Sequence, residues 1–121
     1  MKREPNTDAY GQSFKPEIVE AVWQKAQTMR NYATLRVDTC GWTIVRQEYG
    51  NTRSRYGWEI DHIVPVSGGG NDDLSNLQPL QWENHRRKDE GQFITAATQP
   101  ARMQPKRPGS SAPPLPRARS K

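Results

Sequence analysis

The chain has 121 residues, of which 32% are hydrophobic, and a mean hydropathy of −1.03. This length and composition allow one compact domain with a small core and exclude two complete catalytic domains. The formal net charge is +5, but residues 100–121 carry six basic and no acidic residues, which leaves 12 of the 18 basic residues against 13 acidic ones in residues 1–99. The basic character therefore belongs to the C-terminal segment, and it indicates a polyanionic partner for that segment.

Cysteine content and apolar runs restrict the class of protein further. Cys40 is the only cysteine, which excludes an internal disulfide and a cysteine-rich zinc knuckle. The N-terminus, Met1–Asn6, lacks the apolar run of a signal peptide, and no stretch of 18 apolar residues occurs. We therefore expect a soluble, cytoplasmic protein.

The N-terminal part predicts a helix after a polar segment. Residues 1–14 are polar and are interpreted as a flexible lead-in to a domain over residues 15–94. Pro16 suits the first turn of a helix because its missing N–H would be unpaired there. Apolar side chains then recur at helical spacing, at Ile18, Val22, Ala26 and Met29. This pattern predicts an amphipathic helix over residues 16–31 that packs on the core.

The middle of the chain predicts short strands. Residues 38–41 are typical of a turn, and residues 42–46 are β-branched enough for a short strand. Residues 58–64 alternate apolar and polar side chains, which predicts a strand with one buried face that Pro65 ends.

A Gly-rich loop, a second strand and a helix follow. Residues 67–73 form the loop, and residues 76–80 predict a strand at a sheet edge, where Pro79 needs no partner. Residues 82–90 predict a helix of about two turns. The apolar pattern then stops, and the prolines of the C-terminal segment predict a disordered tail over residues 95–121.

Both histidines lie within this strand, loop, strand and helix. Asp61 and His62 are neighbours on a strand and point to opposite sides, so they cannot play the same role. A carboxylate and a neutral imidazole can hold a divalent ion, with water and phosphate oxygens completing the shell. A second histidine can deprotonate an attacking water. These groups are the ones that phosphodiester hydrolysis needs.

The ordered set of residues resembles the HNH nucleases of the ββα-metal fold, of a small bacterial or phage type. The matching stretches are Gly57–Pro65, Gly68-Gly69, Asp72–Leu74, Asn76–Leu80 and Asn84–Lys88. The resemblance implies an α+β protein, with a ββα-metal core, an N-terminal helix and a disordered C-terminal tail. It also implies an endonuclease that hydrolyses DNA phosphodiester bonds.

The resemblance assigns roles to four residues. It implies that Asp61 and His85 ligate one divalent ion, Mg²⁺ in the first place, with Mn²⁺, Ni²⁺ or Zn²⁺ as alternatives. His62 becomes the general base, and Asn76 holds the loop between the strands and orients His62 through hydrogen bonding. Because some relatives use Asn as the last ligand, Asn84 stays open as an alternative to His85.

The chain departs from the family at the positions of a structural zinc site. Many members carry cysteine pairs there, and one pair ends just before the last His, where this chain has Gln81 and Asn84. The resemblance therefore implies that the structural zinc is absent and that the helix at residues 16–31 stabilises the site instead.

Basic residues near the motif are candidates for phosphate contacts. They are Arg53, Arg55, Arg86, Arg87 and Lys88, and as a group they suit phosphates without reading bases. Lys88 is preferred because it follows His85 by three residues on one helix face. The competing interpretation of each is a solvated charged surface. Trp58 and Trp82 are interpreted as core aromatics rather than as stacking platforms.

Two alternative functions compete with the endonuclease interpretation. The first is a nucleic-acid-binding module that keeps the fold without cleaving, and the retention of Asp61, His62 and His85 together favours the enzyme over it. The second, a structural zinc-binding protein, has little support because the chain has one cysteine.

Overall fold

The structure is a computed structural model that describes residues 3–91. It contains two helices and five strands, joined by turns and three short 3₁₀ segments. In chain order these are α1 (Pro16–Trp23), β1 (Gln27–Met29), β2 (Tyr32–Val37), β3 (Thr43–Val45), β4 (Trp58–His62), β5 (Leu77–Gln81) and α2 (Trp82–Asp89). The predicted disordered tail lies outside the described residues.

Two small antiparallel sheets build the domain. β1, β2 and β3 form one sheet in sequence order, and β4 pairs with β5 in the other. The register sets Asp61 opposite Gln78 and His62 opposite Leu77. α2 follows β5 directly and packs on both strands of the second sheet, which gives a ββα unit. The predicted α+β fold with this core is confirmed.

Helix α1 and strands β4 and β5 enclose the hydrophobic core. The helix buries Val19, Val22 and Trp23 against Trp58, Ile60 and Leu77. Trp58 has no exposed surface, and its ring lies 5.3 Å from the ring of Trp23 and 4.9 Å from that of Tyr49. A fully buried side chain of this size contributes roughly 3 kcal/mol through removal of apolar surface from water. Trp58 is therefore a core aromatic, as predicted.

The predicted helix over residues 16–31 is wrong in its second half. α1 begins at Pro16 as expected but ends at Trp23, and residues 27–29 form β1 in a hairpin with β2. Asn31 adopts a positive φ of 69° at the hairpin turn, a conformation that Asn tolerates better than most residues. The Arg36 guanidinium donates to the carbonyls of Gln24 and Ala26, at 3.1 and 3.2 Å, beyond the helix end. Strand pairing thus overrides the helical spacing of Ala26 and Met29.

β4 also differs from its prediction of one buried face. All five of its residues are buried. Trp58 and Ile60 face the core, whereas Glu59 and Asp61 contact residues of α2. The alternation of apolar and polar residues therefore separates an apolar core from a buried polar site, not a core from solvent.

The N-terminal segment is not the loose lead-in that its composition predicted. We name residues 3–9 the N-terminal hook. The Asn6 side chain accepts a hydrogen bond from the Ile60 N–H at 2.8 Å, and the Ala9 N–H donates to the Asp72 carboxylate at 3.0 Å. The hook thus covers the edge of β4 that β5 leaves open. The domain boundary at residue 15 stays a prediction.

Within residues 3–91, no helix has the length and apolar character needed to cross a membrane.

Candidate active site

Asp61 lies on the face of β4 that α2 covers. Its side chain is buried, and only 2% of the residue is exposed. One carboxylate oxygen, Oδ2, accepts a hydrogen bond from Gln78 across the sheet at 2.9 Å. The other, Oδ1, accepts from Lys88 Nζ at 3.0 Å and lies 3.5 Å from His85 Nε2. The structure therefore brings Asp61 and His85 together from distant positions in the sequence, as the resemblance implied.

Glu59 fixes the orientation of His85. Its Oε1 lies 2.7 Å from His85 Nδ1, which assigns the proton of a neutral imidazole to Nδ1. The His85 Nε2 lone pair then points toward the Asp61 oxygen. With the imidazole neutral, Nε2 and Asp61 Oδ1 are two acceptors 3.5 Å apart that repel each other, so a cation between them is favourable. A metal-binding histidine commonly donates its second nitrogen to a carboxylate in this way.

Glu59 was not predicted as a site residue from the sequence. It is a charged residue that the fold buries, with only 1% of its surface exposed. Arg86 donates to both of its oxygens, at 2.7 and 3.2 Å. Burial pulls the pKa of the Glu59 carboxyl upward, but the hydrogen bonds from His85 and Arg86 outweigh burial and hold that pKa below its ordinary value. Its position two residues before Asp61, on the same strand face, was the signal that could have found it.

His62 points to the other side of β4 and has a carboxylate partner of its own. His62 Nε2 lies 2.8 Å from Asp72 Oδ1, and the ring lies 6.0 Å from that of Phe14. Asp72 is held in turn by the backbone N–H of Ala9. Asp72 therefore places the proton of a neutral imidazole on Nε2 and leaves Nδ1 as the acceptor. Asp72 belongs to a motif that carried the resemblance, but its contact with His62 was not predicted.

Asn76 holds the loop between β4 and β5. Its side chain accepts from the Val64 N–H at 2.8 Å and donates to the carbonyls of Val64 and Asn71 at 3.1 and 2.8 Å. A Cβ added to Gly70 would lie 1.7 Å from the Val64 oxygen, so the loop needs glycine there. Among residues 3–91, the Asn76 side chain makes no hydrogen bond to His62. It acts on the backbone that follows His62 instead.

An open cleft of about 490 Å³ lies beside the candidate metal-binding residues and the candidate general base. Asp61, His62, His85 and Lys88 line it from the ββα unit, and residues 3–7 of the N-terminal hook line it as well. Within the described part of the chain, no group of three or more His, Cys, Asp or Glu side chains is arranged to hold a metal ion. Asp61 and His85 form the candidate pair of protein ligands, and an ion held by this pair would leave room for water and phosphate oxygens.

Residues 38–91 match the family model described as HNH endonuclease. This segment is an HNH domain. The match begins at Asp38 and ends after α2, so it contains every candidate catalytic and metal-binding residue predicted from the sequence. The family prediction is confirmed for this segment. No curated protein and no solved structure matches the chain.

The HNH domain does not gather its five predicted phosphate contacts in one place. Lys88 lies in the cleft, where Nζ donates to Asp61 and to the His62 carbonyl, and Arg86 lines the cleft while paired with Glu59. Arg87 donates to Asn84 Oδ1 at 2.7 Å. Arg53 and Arg55 line a separate depression of about 320 Å³ beside Trp42 and Trp82.

Asn84 lies away from the cleft, in a buried group around Asp38 that we name the Asp38 cluster: Asp38, Cys40, Gln81 and Asn84. One Asp38 oxygen accepts from the N–H groups of Cys40 and Trp42, both at 2.9 Å. The other accepts from the Gln81 N–H at 2.8 Å and from Asn84 Nδ2 at 3.1 Å. Asn84 is therefore directed at Asp38, whereas His85 faces Asp61.

The Asp38 cluster contains the two positions at which the resemblance places zinc-binding cysteines in other members. Gln81 Oε1 also accepts from the N–H groups of Glu83 and Asn84, at 3.0 and 3.1 Å, and so caps the start of α2. The hydrogen bonds join the turn at residues 38–41 to the helix that carries His85. This link was not predicted; stabilisation by α1 was expected instead.

Proposed function

We propose that this HNH domain is a metal-dependent endonuclease that hydrolyses DNA phosphodiester bonds. The observation that carries the proposal is the pairing of Asp61 and His85 in the cleft. Their two acceptor atoms lie 3.5 Å apart, and Glu59 directs the imidazole toward the carboxylate. A buried arrangement of two facing acceptors costs free energy unless a cation joins it.

Asp61 and His85 are the residues that would hold the ion. A carboxylate oxygen and a neutral imidazole nitrogen suit Mg²⁺, Mn²⁺, Ni²⁺ or Zn²⁺, and we propose Mg²⁺ as the first candidate. When bound, such an ion supplies polarisation of the scissile phosphate and stabilisation of charge on the leaving oxygen. Lys88 Nζ lies beside this pair, where it donates to Asp61 Oδ1 and to the His62 carbonyl, and its ammonium group would offer a positive charge to a phosphate in the cleft.

His62 is the proposed general base. The Asp72 carboxylate receives the Nε2 hydrogen and orients the ring, so Nδ1 can accept a proton from water in the cleft. Asn76 positions the backbone after His62 and thereby the imidazole. Arg53, Arg55, Arg86 and Arg87 are proposed as weaker phosphate contacts, because two of them are already engaged with Glu59 and Asn84 and the other two lie outside the cleft.

The test is cleavage of supercoiled plasmid with Mg²⁺ or Mn²⁺ and with EDTA. We expect nicked and linear products only with the metal ion. Asp61→Asn should lower the rate by about 10³-fold or more, because several kcal/mol of transition-state stabilisation depend on the ion. Asp73→Asn is the matched control, since Asp73 is exposed and does not line the cleft. Full activity of Asp61→Asn, or equal activity in EDTA, would refute the proposal.

One observation favours a second function, a DNA-binding module without cleavage. Lys88 Nζ already contacts the Asp61 oxygen, so a cation partner is present without a metal ion. On this alternative, the protein binds the plasmid in every condition and no product forms with Mg²⁺ or with Mn²⁺.

A further inference from the structure

We propose that Arg3, on the N-terminal hook, binds a backbone phosphate of the DNA that occupies the cleft. This inference rests on the proposed function and deepens it, because it assigns the part of the cleft that the hook lines to the substrate. Arg3 lies in the segment that its composition predicted to be a loose lead-in.

The hook is fixed at two points beside the candidate catalytic residues. Asn6 accepts from the backbone of Ile60, one residue before Asp61, and Ala9 donates to Asp72, the partner of His62. Asn6 has a positive φ of 60°, which bends the chain at the first of these points. The hook therefore has a defined position relative to the site, as a substrate-binding wall requires.

Charge pairing singles out Arg3 among the cations that line the cleft. Lys88 forms an ion pair with Asp61, and Arg86 forms one with Glu59. Within residues 3–91, Arg3 forms no ion pair closer than 4 Å, and its hydrogen bonds are those of Nη2 to Thr7 Oγ1 and to the carbonyls of Thr7 and Asp8.

One oxygen of the neighbouring Asp8 carboxylate is engaged within its own turn, and no ion pair within 4 Å joins that carboxylate to Arg3 among residues 3–91. Asp8 Oδ1 accepts from the N–H groups of Tyr10 and Gln12, both at 2.9 Å. Within the part of the chain that the structure describes, the guanidinium of Arg3 is thus held through Nη2 alone, and its other N–H groups can donate to a ligand. A guanidinium with free, adjacent donors matches the oxygens of a phosphate.

The test measures binding of the full chain to a fluorescent DNA duplex in EDTA, over a series of salt concentrations. Arg3→Gln should weaken binding about tenfold, the value of one charge-assisted hydrogen-bonding contact. The slope of log K against log salt should fall by about 0.9. Arg3→Lys, which keeps the charge, should preserve the slope while losing part of the affinity. Arg30→Gln is the matched control, because Arg30 is exposed at the β1–β2 turn and does not line the cleft.

Each outcome decides the inference. If Arg3→Gln binds as Arg30→Gln does, or if the wild-type chain does not bind the duplex, Arg3 is not a phosphate contact. Because the assay contains no metal ion, it is independent of cleavage. A weakened Arg3→Gln in a protein that never cuts plasmid would support the phosphate site and refute the endonuclease, whereas cutting with an unaffected Arg3→Gln would do the reverse.

Discussion

Helix α2 contributes to two buried polar groups that differ in charge and in access to solvent. One is the cleft cluster, formed by Glu59, Asp61, His85, Arg86 and Lys88, and the other is the Asp38 cluster. In the cleft cluster, Arg86 pairs with Glu59 and Lys88 with Asp61 beside an open cleft. In the Asp38 cluster, one carboxylate accepts four hydrogen bonds from uncharged N–H donors.

This difference indicates that the Asp38 cluster stabilises the fold, whereas the cleft cluster serves activity. Every acceptor position that the Asp38 carboxylate offers is directed at a donor of the protein, so nothing in that cluster requires a ligand. In the cleft cluster, the Nε2 of a neutral His85 faces another acceptor, and the ammonium group of Lys88 contacts that acceptor. We therefore expect substitutions in the cleft to change activity and substitutions at Asp38 to change stability.

The largest expected effect is on His62. His62→Ala should lower the rate of plasmid cleavage by roughly 10²–10⁴-fold, the usual contribution of a general base, while metal binding persists. Titration calorimetry with Mn²⁺ measures the binding, and Asp61→Asn is the comparison variant that should lose it. Loss of metal affinity in His62→Ala would instead make His62 a ligand and contradict the roles proposed for the two faces of β4.

A substitution in the Asp38 cluster should instead lower the stability of the fold and leave the cleavage activity unchanged. Asp38→Asn places an amide NH₂ against two N–H donors, and the free energy of unfolding should fall by about 3 kcal/mol. Activity per folded molecule should be retained, because Asp38 does not line the cleft. Denaturant titration and a plasmid assay at low temperature measure the two quantities. A stable but inactive Asp38→Asn would show that the clusters are not independent.

The stability difference should also depend on pH. Burial raises the pKa of Asp38 above its ordinary value, and the hydrogen bonds from Gln81, Trp42, Asn84 and Cys40 offset only part of that rise. The folded state therefore keeps this proton at pH values at which the unfolded chain has lost it. The contribution of Asp38 to stability falls as the pH rises above 3.8, the ordinary value. The advantage of the wild type over Asp38→Asn should thus be larger near pH 4 than near pH 7, and a difference that grows with pH would contradict the assignment.

Residues 57–91 could be predicted from the sequence because their signals are local. A strand pattern, a Gly-rich loop and a helix follow one another, and the spacing of Asp61, His62, Asn76 and His85 identified the family. The partners of these residues could not be predicted in the same way. Glu59 resembled an ordinary polar position on a strand, and Asp72 resembled a loop residue, until the fold placed each beside a histidine.

The N-terminal third was predicted less well for a physical reason. The helical spacing of Ala26 and Met29 gave no sign of the β1–β2 hairpin, whose hydrogen bonds join residues up to ten positions apart. The N-terminal hook is held by the Asn6 side chain and the Ala9 backbone, not by apolar side chains. Hydropathy patterns therefore cannot detect the hook, and its polar composition led to the wrong prediction of a flexible segment.

The smallest expected effect is on the reactivity of Cys40. Burial, followed by the charge of Asp38, raises the pKa of the Cys40 thiol to about 12, so almost no thiolate exists at pH 8. Iodoacetamide should leave the native wild type unlabelled over hours and label it fully in denaturant. In Asp38→Asn, labelling under native conditions should become about 10²-fold faster, because a loss of 3 kcal/mol increases the open population by that factor. Rapid labelling of the wild type, measured by mass spectrometry, would mean that the turn at residues 38–41 opens locally. The Asp38 cluster would then not be the closed, stabilising partner of the cleft cluster.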